Sequence, residues 1–237
     1  MDIHKPKPIH NWREFLKEYA IIVLGVLTAL SLEQVVENWR EHRQYLESRE
    51  AMRAELASNI AGFVYRPTIS ACAGRRIAEI GTMLDKAEKH QNFDPPSWVG
   101  EASSMRFRFS AESEAARSGL FSPAEQRQFS SVYAFMHSID QEMDRERQAW
   151  ARLQALEGRT GLPPEMIANL RQARTEARFQ DRRIGQLTGF VRANARPLSL
   201  PQVAPNATSR PEAWPLCLPM NTPRDEALRR TVYPGTQ

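Results

Sequence analysis

The chain has 237 residues, a formal net charge of +4 at pH 7, and 32 basic residues, of which 27 are Arg and 5 are Lys. This Arg excess is typical of a GC-rich genome rather than of a nucleic-acid site, so we expect no nucleic-acid partner. Gly is scarce (11 residues), while Ala, Leu, Glu and Gln are plentiful, which indicates a mainly α protein. About 200 residues follow the apolar stretch near the amino terminus, enough for one domain with a core.

Residues 1–18 are predicted to be a basic leader that ends in the start of a helix. Two prolines predict a disordered tail over residues 1–10. Asn11 can cap the helix that follows, and Glu14, three residues later, would complete a capping box. The helix should continue into the next stretch without a break.

Residues 19–36, YAIIVLGVLTALSLEQVV, are predicted to be a single transmembrane helix. The stretch is free of charge up to Leu32, and 18 helical residues span roughly 27 Å, just enough for the hydrocarbon core of a bilayer. Aromatic residues stand on both sides, where they suit the membrane interfaces. Two alternatives remain: a buried core helix, and a cleaved signal peptide with Ala29-Leu30-Ser31 as its small-x-small site.

The charges around the span and the cysteines predict its orientation. Four basic residues precede the span and three follow it closely, a slight bias that places the amino terminus in the cytoplasm. The chain has two cysteines, Cys72 and Cys217, and both follow the span. An even count suits a disulfide in an oxidising compartment, and two unrelated buried thiols are the alternative.

Residues 37–196 are predicted to form an irregular antiparallel helical bundle outside the cytoplasm. It begins with an amphipathic stalk whose apolar residues are Trp39, Leu46, Met52, Leu56, Ile60 and Phe63. Pro67 should end the stalk, because the residue before a proline is steered away from helix. Thr68 can cap a second helix, which should end near His90 and carry Cys72 on its inner face.

Two long helices complete the predicted bundle. Ser122-Pro123-Ala124-Glu125 combines an N-cap, a proline at N1 and a capping-box acid, and the helix it opens should reach about Glu157. A second helix should run from Pro163-Pro164-Glu165 to Ala195. Before them, residues 92–110 should be irregular, and a short helix over 111–118 should close at Gly119. The apolar residues of the long helices alternate three and four apart, typical of a four-helix bundle: Phe129, Val132, Met136, Ile139, Met143, Trp150 and Leu153 in the first, and Ile167, Leu170, Ala173, Ala177, Ile184, Leu187 and Val191 in the second.

Residues 197–237 are predicted to be a Pro-rich extended strap. Eight of the 16 prolines lie there, many of them four apart, and this spacing forbids a continuing helix. Trp214, Leu216 and Leu218 surround Cys217 and suggest that the middle of the strap docks on the bundle.

The sequence carries no motif that indicates catalytic, cofactor-binding or metal-binding chemistry. GxGxxG, Walker, HExxH and CxxC patterns are absent, and the five histidines are scattered. Packing is the simplest interpretation of His137 and of Glu146, which interrupts an apolar seam, although Glu146 could be a functional carboxylate. We therefore expect no enzymatic activity and no cofactor, and the identity of any small-molecule ligand is open.

Two sets of residues are candidates for interaction surfaces. Gly25 and Ala29 form a small-xxx-small pair in the span, where another helix could approach, either a second copy or another membrane protein. Beyond the span, four arginines lie at helical spacing: Arg171, Arg174, Arg178 and Arg182. They form either a solvated face or a binding stripe for an anionic lipid or an acidic partner.

Residues 12–41, WREFLKEYAIIVLGVLTALSLEQVVENWRE, resemble the opening of an uncharacterised bacterial family of single-span membrane proteins. The matching positions are Leu16, Glu18, Ile21, Ile22, Val23, Gly25, Val26, Leu27, Ala29, Leu30, Asn38 and Trp39. Arg53, Glu55 and Asn59 are similar to the continuation, whereas Leu32-Glu33-Gln34 replaces a more apolar turn. The resemblance implies a bacterial inner-membrane protein with a periplasmic helical domain, and it implies neither activity nor cofactor.

Two classes of function follow from this sequence. The first is a non-enzymatic, membrane-anchored module that binds a partner, such as an accessory subunit of a membrane complex. The second is a sensory or ligand-binding input bundle, which ranks lower because no returning span and no output domain follow it. An enzyme ranks third.

Overall fold

The computed structural model describes residues 12–101, 105–204, 214–223 and 225–226, and within them the protein is mainly helical, without strands. The helices are α1 (Trp12–Ala61), α2 (Arg66–Glu88), α3 (Ser110–Ser118), α4 (Pro123–Leu153) and α5 (Pro164–Ala195). Short 3₁₀ helices lie at Gly62–Tyr65, Gln154–Leu156, Arg196–Leu198 and Pro215–Cys217. The chain divides into two compact units, residues 1–49 and 50–237. The predicted mainly α class is confirmed.

The described residues of the first unit form a single helical segment, the part of α1 that ends at Arg49. Its apolar stretch is long and apolar enough to cross a membrane, and none of it is buried, unlike a helix in a protein core. The hydroxyls of Thr28 and Ser31 donate to the backbone carbonyls of Leu24 and Leu27, both at 2.7 Å, so these polar groups are satisfied inside the helix. The predicted cap at Asn11 lies outside the described residues.

A 3₁₀ segment separates α1 from α2, and the predicted position of this break was wrong. We expected Pro67 to end the stalk and Thr68 to cap the next helix. Instead α1 ends at Ala61, and α2 begins at Arg66 after a 3₁₀ segment. Pro67 therefore lies in the first turn of α2, where its missing N–H deprives no carbonyl of a partner.

Helices α4 and α5 are the antiparallel pair on which the second unit is built. Every residue of both predicted seams is buried, which confirms the heptad pattern. The Ser122 side chain accepts a hydrogen bond from the Glu125 N–H (3.3 Å), with Pro123 at the start of α4, as predicted. The helix ends at Leu153, slightly before the predicted Glu157, and continues as a 3₁₀ turn.

Two hydrophobic clusters fill the second unit. The first joins α2 to the end of α4 and the start of α5, with Ile80, Leu84 and Trp150 fully covered. The second joins the last turns of α1 and the short α3 to the rest of α4 and α5, around Leu56 and Met136. The α4/α5 pair therefore contributes to both clusters.

The connection that follows α3 agrees with its predicted turn, whereas the predicted carboxyl-terminal strap is not confirmed. Helix α3 closes at Gly119, whose positive φ of 66° is the left-handed conformation predicted for it. The segment 105–109 before α3 is irregular. The extended strap is not confirmed: residues 205–213 and 227–237 lie outside the described chain, and Pro215–Cys217 form a 3₁₀ turn that packs on α2.

Candidate interaction surfaces and the clusters that support them

A disulfide joins α2 to the carboxyl-terminal segment, as predicted. The sulfur atoms of Cys72 and Cys217 are 2.05 Å apart and their Cα atoms 4.8 Å apart, across 145 positions of sequence. Leu216 and Met220 on either side are buried in the first cluster, and Trp214 packs against Tyr65 edge to face, with ring centroids 5.6 Å apart. The bond and the apolar contacts together hold residues 214–220 against the bundle.

Arg76, one turn after Cys72, holds two further segments to α2. Its side chain is 1% exposed and donates to the carbonyls of Trp98 (3.1 Å) and Leu218 (2.6 Å). Burial lowers the pKa of Arg76, and an ion pair with Glu79 at 3.2 Å partly offsets this effect. Because a buried guanidinium is costly unless it is paired and hydrogen-bonded, Arg76 fixes the loop and the carboxyl-terminal segment at the same place.

A buried charge cluster links α2, α4 and α5. Arg66 donates two hydrogen bonds to the Glu146 carboxylate (3.1 and 3.0 Å) and a third to Asp181 (2.7 Å), which also accepts from Ser70 (2.7 Å). Burial disfavours the charge on Arg66, but Glu146 and Asp181 outweigh it and raise the pKa of Arg66. Burial raises the pKa of Glu146 against the opposing attraction of Arg66. The cluster holds α2, α4 and α5 together, and it explains why Glu146 interrupts the apolar seam of α4.

Two polar residues of α1 hold the start of α3. The Glu55 carboxylate accepts hydrogen bonds from the Ser110 hydroxyl (2.8 Å), the Ala111 N–H (3.1 Å) and the Tyr133 hydroxyl (2.9 Å). Burial alone would raise the pKa of Glu55, but these hydrogen bonds lower it. One turn later, the Asn59 side chain exchanges hydrogen bonds with the backbone N–H and carbonyl of Arg108. Glu55 and Asn59 therefore replace the side-chain cap that α3 lacks.

The predicted arginine stripe is divided between internal pairing and open surface. Arg171 donates to Asp85 (2.7 Å) and Glu88 (2.6 Å) of α2, and these carboxylates raise its pKa. The guanidinium of Arg174 lies against Gly81, with its Cζ 3.0 Å from where a Cβ would stand. Arg178 and Arg182 are exposed and form no ion pair within the described part of the chain. Half of the stripe thus belongs to the α2/α5 contact, and half is open.

The exposed side of α5, which we call the α5 face, consists of Phe179, Arg182, Arg183, Gln186, Gly189, Phe190 and Ala193. Phe179 is 61% exposed and Phe190 50% exposed, large fractions for aromatic side chains. Phe190 stacks on the half-buried Phe135 of α4, with ring centroids 5.5 Å apart. No described atom lies within 4 Å of a Cβ built on Gly189, so another helix could come close there.

The charged residues of the α5 face are all basic. Five arginines and no acidic residue occur between Asp181 and Glu212. Of these, Arg192 donates to the carbonyl of Phe63 (3.2 Å) and is used inside the bundle. Arg182 and Arg183 point to solvent and leave a positive potential beside exposed aromatic rings. The composition, aromatic and Arg with little else charged, is that of protein–protein interface centres.

The other candidate sites show fewer features of a binding surface. Gly25 and Ala29 lie on an exposed side of α1, and a Cβ on Gly25 would meet no described atom within 4 Å. His137 contacts Glu112 (2.8 Å) and stacks on Phe109, which suits its packing interpretation. Among the described residues, no group of three or more His, Cys, Asp or Glu side chains could hold a metal ion. A small cleft of about 110 Å³ lies between α3 and α4, next to Glu112 and Tyr133.

The comparisons with known proteins add no identification. No protein-family model, no curated protein and no solved structure matches this chain. The resemblance of residues 12–41 to a family of single-span membrane proteins therefore stays a prediction. The functional argument depends on the surfaces and charges described above.

Proposed function

We propose that this protein is a non-enzymatic, membrane-anchored module whose helical bundle binds a partner protein, as an accessory subunit of a membrane complex would. The observation that carries the proposal is the α5 face, where two exposed Phe rings lie beside arginines that form no ion pair with any described residue. Fully burying each Phe side chain would contribute roughly 1.5–3 kcal/mol to binding. Such a patch is costly to leave in water, and its aromatic and Arg composition suits an interface.

The partner that fits this face is an acidic helix. Arg182 and Arg183 would pair with carboxylates, while Gly189 and Ala193 leave room for a helix backbone to approach. The Phe179 and Phe190 rings would then lie on the sides of the contact. An anionic lipid surface could pair with the arginines. It would not account for the space left at Gly189 and Ala193 or for the stacked Phe135–Phe190 pair.

We further propose that the apolar stretch of α1 anchors the chain in a bacterial inner membrane, with the amino terminus in the cytoplasm and the bundle in the periplasm. The basic leader supports this orientation, and the Cys72–Cys217 disulfide suits an oxidising compartment. A reporter that is active only outside the cytoplasm, fused after Gln237, should be active. Activity of a cytoplasm-specific reporter at that position would contradict the orientation.

The partner-binding proposal can be tested by purification of the full chain from gently solubilised membranes. The wild type should carry a partner in a fixed ratio, and the double variant Phe179→Ser/Arg182→Glu should lose it. A matched control on another surface, Val64→Ser/Arg127→Glu, also changes one exposed apolar and one exposed basic residue and should keep it. Equal partner recovery with both variants would refute the α5 face as the binding surface.

A further inference from the structure

The part of α1 that follows the proposed span exposes large apolar side chains. Trp39 is 62% exposed and Leu46 is 48% exposed. Leu46 lies ten residues beyond Val36, about 15 Å along a helix, so lipid tails cannot cover it. Isolated helices of this length are marginal in water and owe most of their stability to packing of an apolar face. Trp39 is near enough to the span to lie at the membrane interface, but Leu46 is covered only if another helix packs against this side of α1.

Beyond the span, the exposed large apolar residues Trp39 and Leu46 lie seven positions apart and so on one side of the helix, whereas within the span exposed apolar residues occur on every side. Counting from Ile22, positions three and four apart give Ile22, Gly25, Ala29, Leu32, Val36, Trp39, Arg43 and Leu46, which we call the α1 seam. The opposite side of the same segment is polar, with Glu37, Glu41, Gln44 and Ser48. A sustained 3.5-residue repeat predicts a left-handed coiled coil. The seam runs unbroken from the span, where Gly25 and Ala29 permit close approach, into the aqueous phase.

We propose that two copies of this chain pair in parallel through the α1 seam. This inference rests on the membrane anchoring proposed above, because a common orientation in the bilayer makes two copies of α1 parallel and in register. A heptad face is then self-complementary about a two-fold axis. The occupant of the seam is accordingly a second copy of the chain.

The polar residues beside the seam fit a parallel dimer. His42 and Glu47 stand at the positions that face each other across two parallel helices, five residues apart, so His42 of one copy meets Glu47 of the other. Arg43 is the single charge within the seam. Its guanidinium lies 5.1 Å from the ring of Trp39 and 3.4 Å from Glu47, so it can leave the seam while its stem covers apolar surface. One polar residue at such a position fixes register and favours a dimer.

Oxidative cross-linking of the full chain in bilayers tests the proposal. The native cysteines are already joined to each other, so a single introduced cysteine reports on pairing. Val36→Cys and Leu46→Cys lie on the seam, whereas Glu37→Cys and Gln44→Cys are matched controls on the polar side. Because a disulfide requires Cβ atoms within about 4.5 Å, seam positions should give about tenfold more covalent dimer than the controls.

A second measurement separates the seam from random collision. Energy transfer between labelled copies in bilayers should persist on dilution with lipid and should fall to background with Gly25→Leu/Leu46→Glu. Equal cross-linking at seam and control positions, or cross-links to a different protein without dimer, would overturn the pairing while leaving the anchor intact. Release of the wild-type chain from membranes by alkaline washing would instead overturn the anchoring on which the pairing depends.

Discussion

Replacing Glu146 by Gln removes one carboxylate from the buried cluster and leaves the Arg66 guanidinium, 4% exposed, with Asp181 as its remaining counter-charge. Breaking a buried ion pair from one side costs about 3–5 kcal/mol, because the other charge is left uncompensated in a medium of low dielectric constant. Asp181 lies 2.7 Å from Arg66 and keeps part of the compensation. We therefore expect Glu146→Gln to lower the free energy of unfolding by about 3 kcal/mol.

The assay is thermal unfolding of the full chain in mild detergent, followed by near-ultraviolet circular dichroism. For a unit of nearly 190 residues, 1 kcal/mol corresponds to about 2–4 °C, so the midpoint should fall by about 6–12 °C. Glu142→Gln is the matched control on the same helix. Its ion pair with the exposed Arg145 is worth about 0–1 kcal/mol, and the midpoint should hardly move.

Replacing both partners distinguishes the loss of the Arg66–Glu146 ion pair from a general packing defect at position 146. Arg66→Met/Glu146→Met exchanges the charges for apolar side chains of similar size and should recover most of the stability that Glu146→Gln loses. If Glu146→Gln unfolds within about 2 °C of the wild type, a shift expected from less than 1 kcal/mol, the side chain of Arg66 is solvated and the tie between α2, α4 and α5 is refuted.

Three further predictions follow from named contacts. Cys72→Ser should lower the free energy of unfolding by about 2–5 kcal/mol, measured by urea denaturation in detergent, because the disulfide closes a very long loop; an unchanged midpoint would contradict a stabilising role for the bond. Glu55→Gln should destabilise the bundle by about 1–3 kcal/mol at neutral pH. Since the pKa of Glu55 is lowered on folding from its ordinary 4.5, the difference from wild type should be full above pH 4.5 and should be lost as the pH falls through the lower pKa of the folded state; a difference that grows in acid would be inconsistent with this sign. Arg76→Leu should free the carboxyl-terminal segment even with the disulfide intact, seen as faster hydrogen exchange at the N–H of Cys217, which donates to the Trp214 carbonyl at 2.8 Å; unchanged exchange would show that the disulfide alone holds the segment.

The long helices could be predicted because local and tertiary signals coincide in them. Ser122 and Pro123 start α4 by their own chemistry, and the seams of α4 and α5 repeat over many turns, so one wrong residue does not change the result. The break after Ala61 could not be placed in this way. Pro67 marks it, but a proline is accepted in the first turn of a helix as readily as after the end of one.

The polar clusters were missed for a different reason. Arg66, Glu55 and Asn59 are charged or polar residues whose partners lie 49 or more positions away in sequence. Pattern analysis assigns such residues to solvent unless they interrupt an apolar seam, as Glu146 does. For the arginine stripe, the helical spacing was predicted correctly but the internal pairing was not. Arg171 pairs with Asp85 and Glu88, which lie on α2 and not on the helix that carries the stripe. The periodicity of a sequence does not show which residue of another helix a side chain contacts.

The most direct test of the partner-binding account is a photo-cross-linker placed at Gln186, in the middle of the α5 face, in the full chain in its native membrane. Gln148 on the exposed side of α4 is the matched control, because it has the same side chain and is also exposed. The account predicts one defined protein adduct from position 186 that weakens as salt rises, because Arg182 and Arg183 contribute to binding, and none from position 148. Lipid adducts alone at position 186, or the same protein adduct from both positions, would contradict it.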